Sequence, residues 1–277
     1  MPMLEAGIAA LEVTPEGGGD FARAMITTDT RTKETAVRFE VEGRTYHVGG
    51  CAKGSGMIHP DMATMFGFMT TDAPADPAWL QAALGLIADR TFNMLDIDMD
   101  TSTSDTVLVF ANGAAGGDEI GRGHPAAGAL AAAIEAVARH LTRELARDGE
   151  GAETLIEAVV EGAAELEDAR LAARTIVSSP LVKTMVTGRD PNWGRVMMAI
   201  GRSGARVDQT LVSVWVGPHC VLERGTPTAV DLAMVSVAMA EDEVQLRVDL
   251  GLGEASAVAW GCDLTAEYVH INADYTT

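Results

Sequence analysis

The residues of this chain whose types could best take part in a reaction lie between Lys53 and Thr64, in the segment KGSGMIHPDMAT. Lysine occurs only at positions 33, 53 and 183, and a lysine in a crowded glycine-rich turn is costly unless its amine is used. A threonine hydroxyl is a nucleophile that needs a base to activate it. A threonine at the start of an apolar strand, such as Thr64, is ordinary by itself, and the rare Lys53 eleven residues earlier strengthens the case for a catalytic role only somewhat.

Three further polar segments are not required by a hydrophobic core. They are TTD at residues 27–29, DTSTSD at residues 100–105 and DPNWGR at residues 190–195. Each has an ordinary structural interpretation, as the end of a helix, a solvated or capping turn, and a turn that starts a helix. Each alone is weak evidence of function, whereas together the segments are much more specific.

Several common functional motifs are excluded by their spacing. GGCAKGSG at residues 49–56 has Lys-Gly where a phosphate-binding loop needs Gly-Lys followed by Ser or Thr. DIDMD at residues 96–100 begins like a calcium loop, but Thr101 stands at its sixth position and Val107 at its twelfth. The chain also has no H-E-x-x-H or G-x-S-x-G motif. The sequence therefore predicts no metal site.

The composition predicts a globular protein with an acidic surface. Of the 277 residues, 47% are hydrophobic, and forty acidic residues against twenty basic ones give a net charge of −20. Such a surface repels nucleic-acid phosphates and anionic membranes. The three cysteines form no C-x-x-C pair, and the N-terminus has no basic segment followed by an apolar one. We therefore expect a cytoplasmic protein with no nucleic-acid or membrane partner.

The pattern of elements favours an α+β fold, because strands and helices come in clumps rather than in strict alternation. Two alternating segments around Glu42-Gly43 predict a β-hairpin over residues 36–48. Apolar residues at helical spacing predict a long amphipathic helix over residues 125–147, and another helix is expected over about 76–94. Strands, of which the first two are expected to be buried, are predicted at residues 64–71, 105–111, 154–160, 243–250 and 256–262.

In their order along the chain, these segments resemble the ornithine acetyltransferase family, also called glutamate N-acetyltransferases. The resemblance rests on five motifs: ITTDT at residues 26–30, AKGSGMIHPDMATM at 52–65, DTSTSDTVLVFANGAAG at 100–116, VKTMVTGRDPNWGR at 182–195 and the terminal INADYTT. The resemblance covers essentially the whole chain in the same order, and long motifs at five separate places make the match specific.

The resemblance implies an α+β fold of layered sheets and helices of the ornithine acetyltransferase type, with a smaller C-terminal subdomain over about 181–277. It also implies a self-cleaving enzyme with an N-terminal threonine nucleophile, cut between Ala63 and Thr64. Residues 1–63 would be the C-terminal part of an α chain, and residues 64–277 would be the β chain. Family members assemble as αβ pairs that associate further, so we expect a homo-oligomer.

The reaction that the resemblance implies is acetyl transfer in arginine biosynthesis. Thr64 would take the acetyl group from N2-acetylornithine, release ornithine and pass the acetyl group to glutamate. A variant that also uses acetyl-CoA as an acetyl donor is not distinguished by the sequence, and no other cofactor is expected.

Matched residue by residue, the family's substrate-binding positions fall on Thr27, Lys53, Thr64, Glu150, Asn272 and Thr277. From their charges, we assign Lys53 to the substrate α-carboxylate and Glu150 to the side-chain amine of ornithine. Asn272 and Thr277 would bring the C-terminal segment into the pocket.

The sequence departs from the family pattern at three points. Ser104 and Asp61 stand where asparagine is frequent, and we expect the chain to lack a long N-terminal segment that carries a Thr-Gly oxyanion-hole motif. Loss of one such donor weakens transition-state stabilisation by roughly 3–4 kcal/mol. One alternative is therefore a non-catalytic family member or fragment that needs a separate N-terminal piece. Another is an N-terminal nucleophile aminopeptidase, although Lys53 and Glu150 suit a free amino acid better than a peptide.

Overall fold

The computed structural model of the protein describes residues 1–14, 16–59, 65–102 and 104–274, together with the backbone of residues 62–63. Within these ranges the helices are α1 (Pro2–Ala9), α2 (Gly17–Met25), α3 (Pro77–Ala88), α4 (Ala127–Arg147), α5 (Leu166–Val177), α6 (Pro180–Thr187), α7 (Trp193–Gly201), α8 (Leu232–Ala238) and α9 (Ala266–Asp274). The strands are β1 (Lys33–Val41), β2 (Arg44–Lys53), β3 (Ile58–His59), β4 (Met62–Ala63), β5 (Phe66–Thr71), β6 (Leu95–Asp96), β7 (Thr106–Ala111), β8 (Leu155–Ala163), β9 (Ser213–Val216), β10 (His219–Glu223), β11 (Thr226–Pro227), β12 (Glu243–Asp249) and β13 (Ala255–Cys262). This mixture of helices and mixed sheets confirms the predicted α+β class.

A four-stranded sheet has the order β1-β2-β5-β7. Strands β1 and β2 form the predicted hairpin, and its turn residues Glu42 and Gly43 have φ of 52° and 77°, the geometry that suits a two-residue hairpin. Strand β5 pairs antiparallel with β2 and parallel with β7. The end of β2 therefore lies beside the start of β5, with Lys53 opposite Phe66.

A seven-stranded mixed sheet has the order β11-β10-β9-β12-β8-β13-β6. Strand β8 pairs parallel with β12 and antiparallel with β13. The short edge strand β6 pairs with β13, with Leu95 opposite Trp260 and Asp96 opposite Gly261. The sheet thus joins residues that are far apart in the sequence.

Helix α4 packs against β1 and β2 of one sheet and against β8 and β13 of the other, so it lies between the two sheets. The apolar stripe that predicted this helix is completely buried and consists of Leu130, Ile134, Val137 and Leu141. Of the helices in the described ranges, none has the length and apolar character needed to cross a membrane. Asp148 and Glu150 directly follow the end of α4, which brings its last turn to the site described below.

Two predicted elements differ from the structure. The helix expected over 76–94 ends at Ala88, and a single 3-10 turn at Phe92–Met94 follows it, because Thr91 leaves the helical conformation with φ −128° and ψ −92°. The prediction that the strand at 105–111 is buried is wrong, since Leu108 and Phe110 are 40% and 54% exposed. Strand β7 is an edge strand of the described sheet, and its alternate side chains face solvent.

Candidate active site

A buried cation and two carboxylates fix the backbone around the end of β2. Lys33, the first residue of β1, donates to Asp29 Oδ1 at 2.5 Å and to Asp148 Oδ2 at 2.5 Å. Asp29 Oδ1 also accepts the backbone N–H of Gly54 at 2.7 Å. All three charged side chains are buried. This Lys33 cluster (Asp29, Lys33 and Asp148) joins the loop after α2, the end of α4 and the turn that follows Lys53.

The charge of Lys33 keeps Asp29 ionised in this buried place. Burial by itself raises the pKa of the Asp29 carboxyl, but the hydrogen bonds from Lys33 and the Gly54 N–H, together with the Lys33 charge, outweigh it. The pKa of Asp29 therefore lies below its ordinary value of 3.8. An ionised Asp29 accepts more than one hydrogen bond and so holds the turn after β2 in place.

Ser55 connects two of the predicted segments at this turn. Its hydroxyl lies 2.6 Å from Thr28 Oγ1, and its carbonyl accepts the N–H of Glu150 at 2.7 Å. The neighbouring Thr27 donates its backbone N–H to Asp29 at 3.1 Å and has an exposed side chain. Thr27 and Glu150, which are distant in sequence, therefore both adjoin the turn after β2.

Glu150 and Asn272 meet directly beside the same turn. The Asn272 Nδ2 amide donates to Glu150 Oε2 at 2.8 Å, and a Cβ added at Gly56 would lie 2.7 Å from that carboxylate oxygen. Gly151 has φ of +68°, and a Cβ there would lie 2.5 Å from the backbone nitrogen of Tyr268. Glycine at both positions therefore allows α9 and the turn after β2 to approach Glu150 closely.

Lys53 lies at the β2 end of this turn, next to the start of β5. Its Nζ is 4.8 Å from the centroid of the Phe66 ring, and the residue is buried. Its charge acts on the Asp105 carboxylate, which accepts the N–H of Met65 at 3.2 Å. Burial nevertheless raises the pKa of Asp105. Among the side chains that the structure describes, no acid forms an ion pair with Lys53.

Of the predicted substrate-binding residues, Thr27, Lys53, Glu150 and Asn272 are brought to the turn after β2. The other two, Thr64 and Thr277, lie outside the described residues. Ala63, the residue before the predicted cleavage point, is described only through its backbone. That backbone lies in β4 and pairs with Ile58 of β3.

Sequence reasoning did not select Asp98 or Tyr268, which also lie here. Asp98 accepts the N–H groups of Met57 at 2.7 Å and Ile58 at 3.2 Å, and the Tyr268 hydroxyl is 3.3 Å from it. Burial is the main cause that raises the pKa of Tyr268, and the nearby acids raise it further, so its hydroxyl stays neutral. The only sequence signal that pointed to Asp98 was the DIDMD pattern at 96–100. In the described part of the chain, no group of three or more His, Cys, Asp or Glu could hold a metal ion.

The chain as a whole matches a known family. Residues 1–277 match the profile of the ArgJ family, so the protein belongs to that family. The match covers the whole chain and confirms the resemblance drawn from the five motifs.

The relatives agree with this assignment in sequence and in structure. The arginine biosynthesis bifunctional protein ArgJ of Symbiobacterium thermophilum is 52% identical over 100% of this chain and 69% of its own length. The protein of the same name from Bacillus subtilis is 45% identical over 100% of this chain and 68% of its length. A crystal structure of the arginine biosynthesis bifunctional protein ArgJ from Bacillus halodurans is 41% identical with a TM-score of 0.73, covering 76% of this chain and 98% of that one.

Proposed function

We propose that this protein is an acetyltransferase of arginine biosynthesis that moves the acetyl group of N2-acetylornithine to glutamate. The observation that carries the proposal is the contact between Glu150 and Asn272 at the turn that begins with Lys53. These residues come from three separate parts of the chain, and a hydrophobic core requires none of them. The names of the relatives place those proteins in arginine biosynthesis, which supports the pathway in this proposal.

The charges at this turn suit a free amino acid as the ligand. Lys53 offers a cation to the α-carboxylate, and Glu150 offers an anion to the side-chain ammonium of ornithine. Asp98 adds negative charge nearby, since it and Glu150 both act on Tyr268. Asn272 binds one carboxylate oxygen of Glu150, which leaves the other oxygen for the substrate amine.

Thr64 is the proposed nucleophile, and self-cleavage makes it competent. Its hydroxyl attacks the carbonyl carbon of Ala63, the peptide C–N bond breaks, and the hydroxyl proton passes to the leaving nitrogen. Water then hydrolyses the ester, which gives a carboxylate at Ala63 and a free α-amine on Thr64. That amine, with a pKa near ~8, is a base suited to activate the hydroxyl beside it.

Acetyl transfer then proceeds in two half-reactions through an acetyl-threonine ester. The Thr64 hydroxyl attacks the acetyl carbonyl of N2-acetylornithine, and its proton goes to the departing α-amine of ornithine. The α-amine of glutamate then attacks the ester, which forms N-acetylglutamate and returns a proton to the hydroxyl. Both substrates present an α-carboxylate, so Lys53 serves each in turn.

Glu150→Gln tests the assignment of the substrate amine. The change removes a charge and keeps the shape, and a hydrogen bond to a charged group contributes roughly 1.5–3 kcal/mol. We therefore expect the KM for N2-acetylornithine to rise about 10-fold or more, measured by transfer of labelled acetyl to glutamate. Glu153→Gln changes the same charge at an exposed position and should shift this KM by no more than about twofold.

The same assay separates the alternatives. Hydrolysis of peptides without glutamate-dependent transfer would favour an N-terminal nucleophile aminopeptidase. A folded chain with neither activity would favour a non-catalytic family member, or a fragment that needs a separate N-terminal piece. Replacing N2-acetylornithine by acetyl-CoA in the assay shows whether the protein uses a second acetyl donor.

A further inference from the structure

A short hairpin carries the peptide carbonyl that the proposed cleavage would attack. Strands β3 and β4 pair antiparallel, with Ile58 opposite Ala63 and His59 opposite Met62. Two residues in each strand form few hydrogen bonds, so an isolated hairpin of this size is not stable by itself. Asp98 accepts the N–H of Ile58, and the Ile58 carbonyl accepts the N–H of Ile97 at 2.8 Å, so these bonds fix the first residue of β3.

The second residue of β3, His59, contacts a buried carboxylate. The His59 Nδ1 atom lies 2.8 Å from Oδ1 of Asp96, a completely buried residue of β6. The other oxygen of Asp96 has no hydrogen-bond partner in the described part of the chain, and Nζ of Lys183 lies 3.6 Å from it. Because a carboxylate accepts hydrogen bonds, we assign the donor role in this contact to the His59 Nδ1 atom.

Lys183 is itself held in a fixed position. Its Nζ donates to the carbonyl of Cys262 at 2.8 Å and lies 3.9 Å from the Cys262 sulfur. Burial raises the pKa of the Cys262 thiol to about 11, so this neighbour is neutral and Asp96 supplies a negative charge next to the lysine. Attraction between buried charges is weakly screened, and it holds the Asp96 carboxylate in one orientation.

We propose that Asp96, oriented by Lys183, is a positioning residue for self-cleavage, because it fixes His59 and thereby the strand opposite Ala63. The inference rests on the proposed cleavage between Ala63 and Thr64. A reacting carbonyl must be held about 3–3.5 Å from its nucleophile, and a displacement of ~1 Å lowers a rate by roughly 100-fold. The side chains of Lys183, Asp96 and His59 act on self-cleavage through the backbone of β3 and β4.

The test follows the cleavage of freshly synthesised full-length chains in a cell-free reaction by intact-mass spectrometry over time. His59→Ala removes the imidazole from a half-exposed position, and we expect cleavage to slow at least about 10-fold. His59→Asn keeps an N–H donor near the place of Nδ1 and should restore cleavage to within about threefold of the wild-type rate. His47→Ala is the matched control, since His47 makes the same 2.8 Å contact with Asp72 in the other sheet, and it should cleave like wild type.

Two outcomes would overturn the inference. One is a wild-type rate for His59→Ala, and the other is a His59→Asn rate as low as that of His59→Ala, because the imidazole itself would then be needed. After long incubation, cleaved His59→Ala should transfer acetyl groups with the wild-type kcat, which a general loss of structure would not allow.

A second variant keeps the test decisive if circular dichroism shows that His59→Ala does not fold. Asp96→Asn keeps the shape and removes the charge that Lys183 orients, so it should also slow cleavage, and a wild-type rate would overturn the inference. A wild-type chain that does not cleave at all would instead count against the proposed function.

Discussion

Replacing Thr64 by Ala will leave the protein as one species at the mass of the full chain, 29.0 kDa. Alanine has no hydroxyl to attack the Ala63 carbonyl and none to carry an acetyl group, so cleavage and transfer both stop. Removing the nucleophile of a covalent mechanism lowers kcat by several orders of magnitude, and we expect transfer to fall at least about 1,000-fold. Intact-mass spectrometry and the labelled-acetyl assay measure the two effects separately.

Thr64→Ser is the control for this substitution. It keeps the hydroxyl, so it should still yield fragments 1–63 and 64–277 and retain part of the transfer activity. If Thr64→Ala gave the same two fragments, a group other than this hydroxyl would be cutting the chain. A wild-type protein that stays at full mass would remove Thr64 from the mechanism and leave only the family relationship.

The largest loss of stability that we expect from one substitution follows Lys33→Met. The change leaves the carboxylates of Asp29 and Asp148 buried beside each other without the cation that now pairs with both. Removing one partner of a buried ion pair destabilises a protein by roughly 3–5 kcal/mol, because the remaining charge is uncompensated. Urea unfolding at neutral pH measures this loss as a lower free energy of unfolding.

The exposed pair of Arg23 and Asp20 provides the control. Both side chains are more than half exposed, so Arg23→Met should change the free energy of unfolding by less than about 1 kcal/mol. A loss as large as that of Lys33→Met would show that burial of the Lys33 cluster is not the cause.

The pH dependence follows from the lowered pKa of Asp29. Its contribution to stability is present above the unfolded-state pKa of about 3.8 and is lost as the pH falls through the lower folded-state value. In Lys33→Met the unpaired Asp29 carboxylate is protonated at acid pH, so the difference from wild type should shrink there. A difference that stays constant from pH 7 down to about pH 3 would contradict this account.

The family and many elements were predictable from the sequence because local patterns encode them. The alternation around Glu42-Gly43 predicted the hairpin, and the apolar stripe over 125–147 predicted helix α4. The five motifs predicted the family. The boundary between residues 63 and 64 and the C-terminal subdomain over about 181–277 stay predictions.

The supports of the site were not predictable, because their partners are distant in sequence. In the sequence, Asp29 has the pattern of a helix end, and Asp148 directly follows the helix predicted over 125–147. Only the fold brings both to Lys33. The alternation in DIDMD likewise does not say what its carboxylates contact. In the structure, Asp96 contacts His59 and Asp98 accepts backbone N–H groups, which depends on how β6 lies against β3.

On the proposed cleavage, the edge position of β6 implies an order of events during synthesis of the protein. In the described sheet β6 pairs only with β13, and Asp96 on β6 also depends on Lys183. In a growing chain, β3, β4 and β6 are synthesised long before β13 leaves the ribosome. On the proposed cleavage, a chain that stops at residue 250 should therefore stay uncut. We expect the threonine to stay inside the polypeptide while translation continues, so that the proposed cleavage would release its amine only after the last strand has been made.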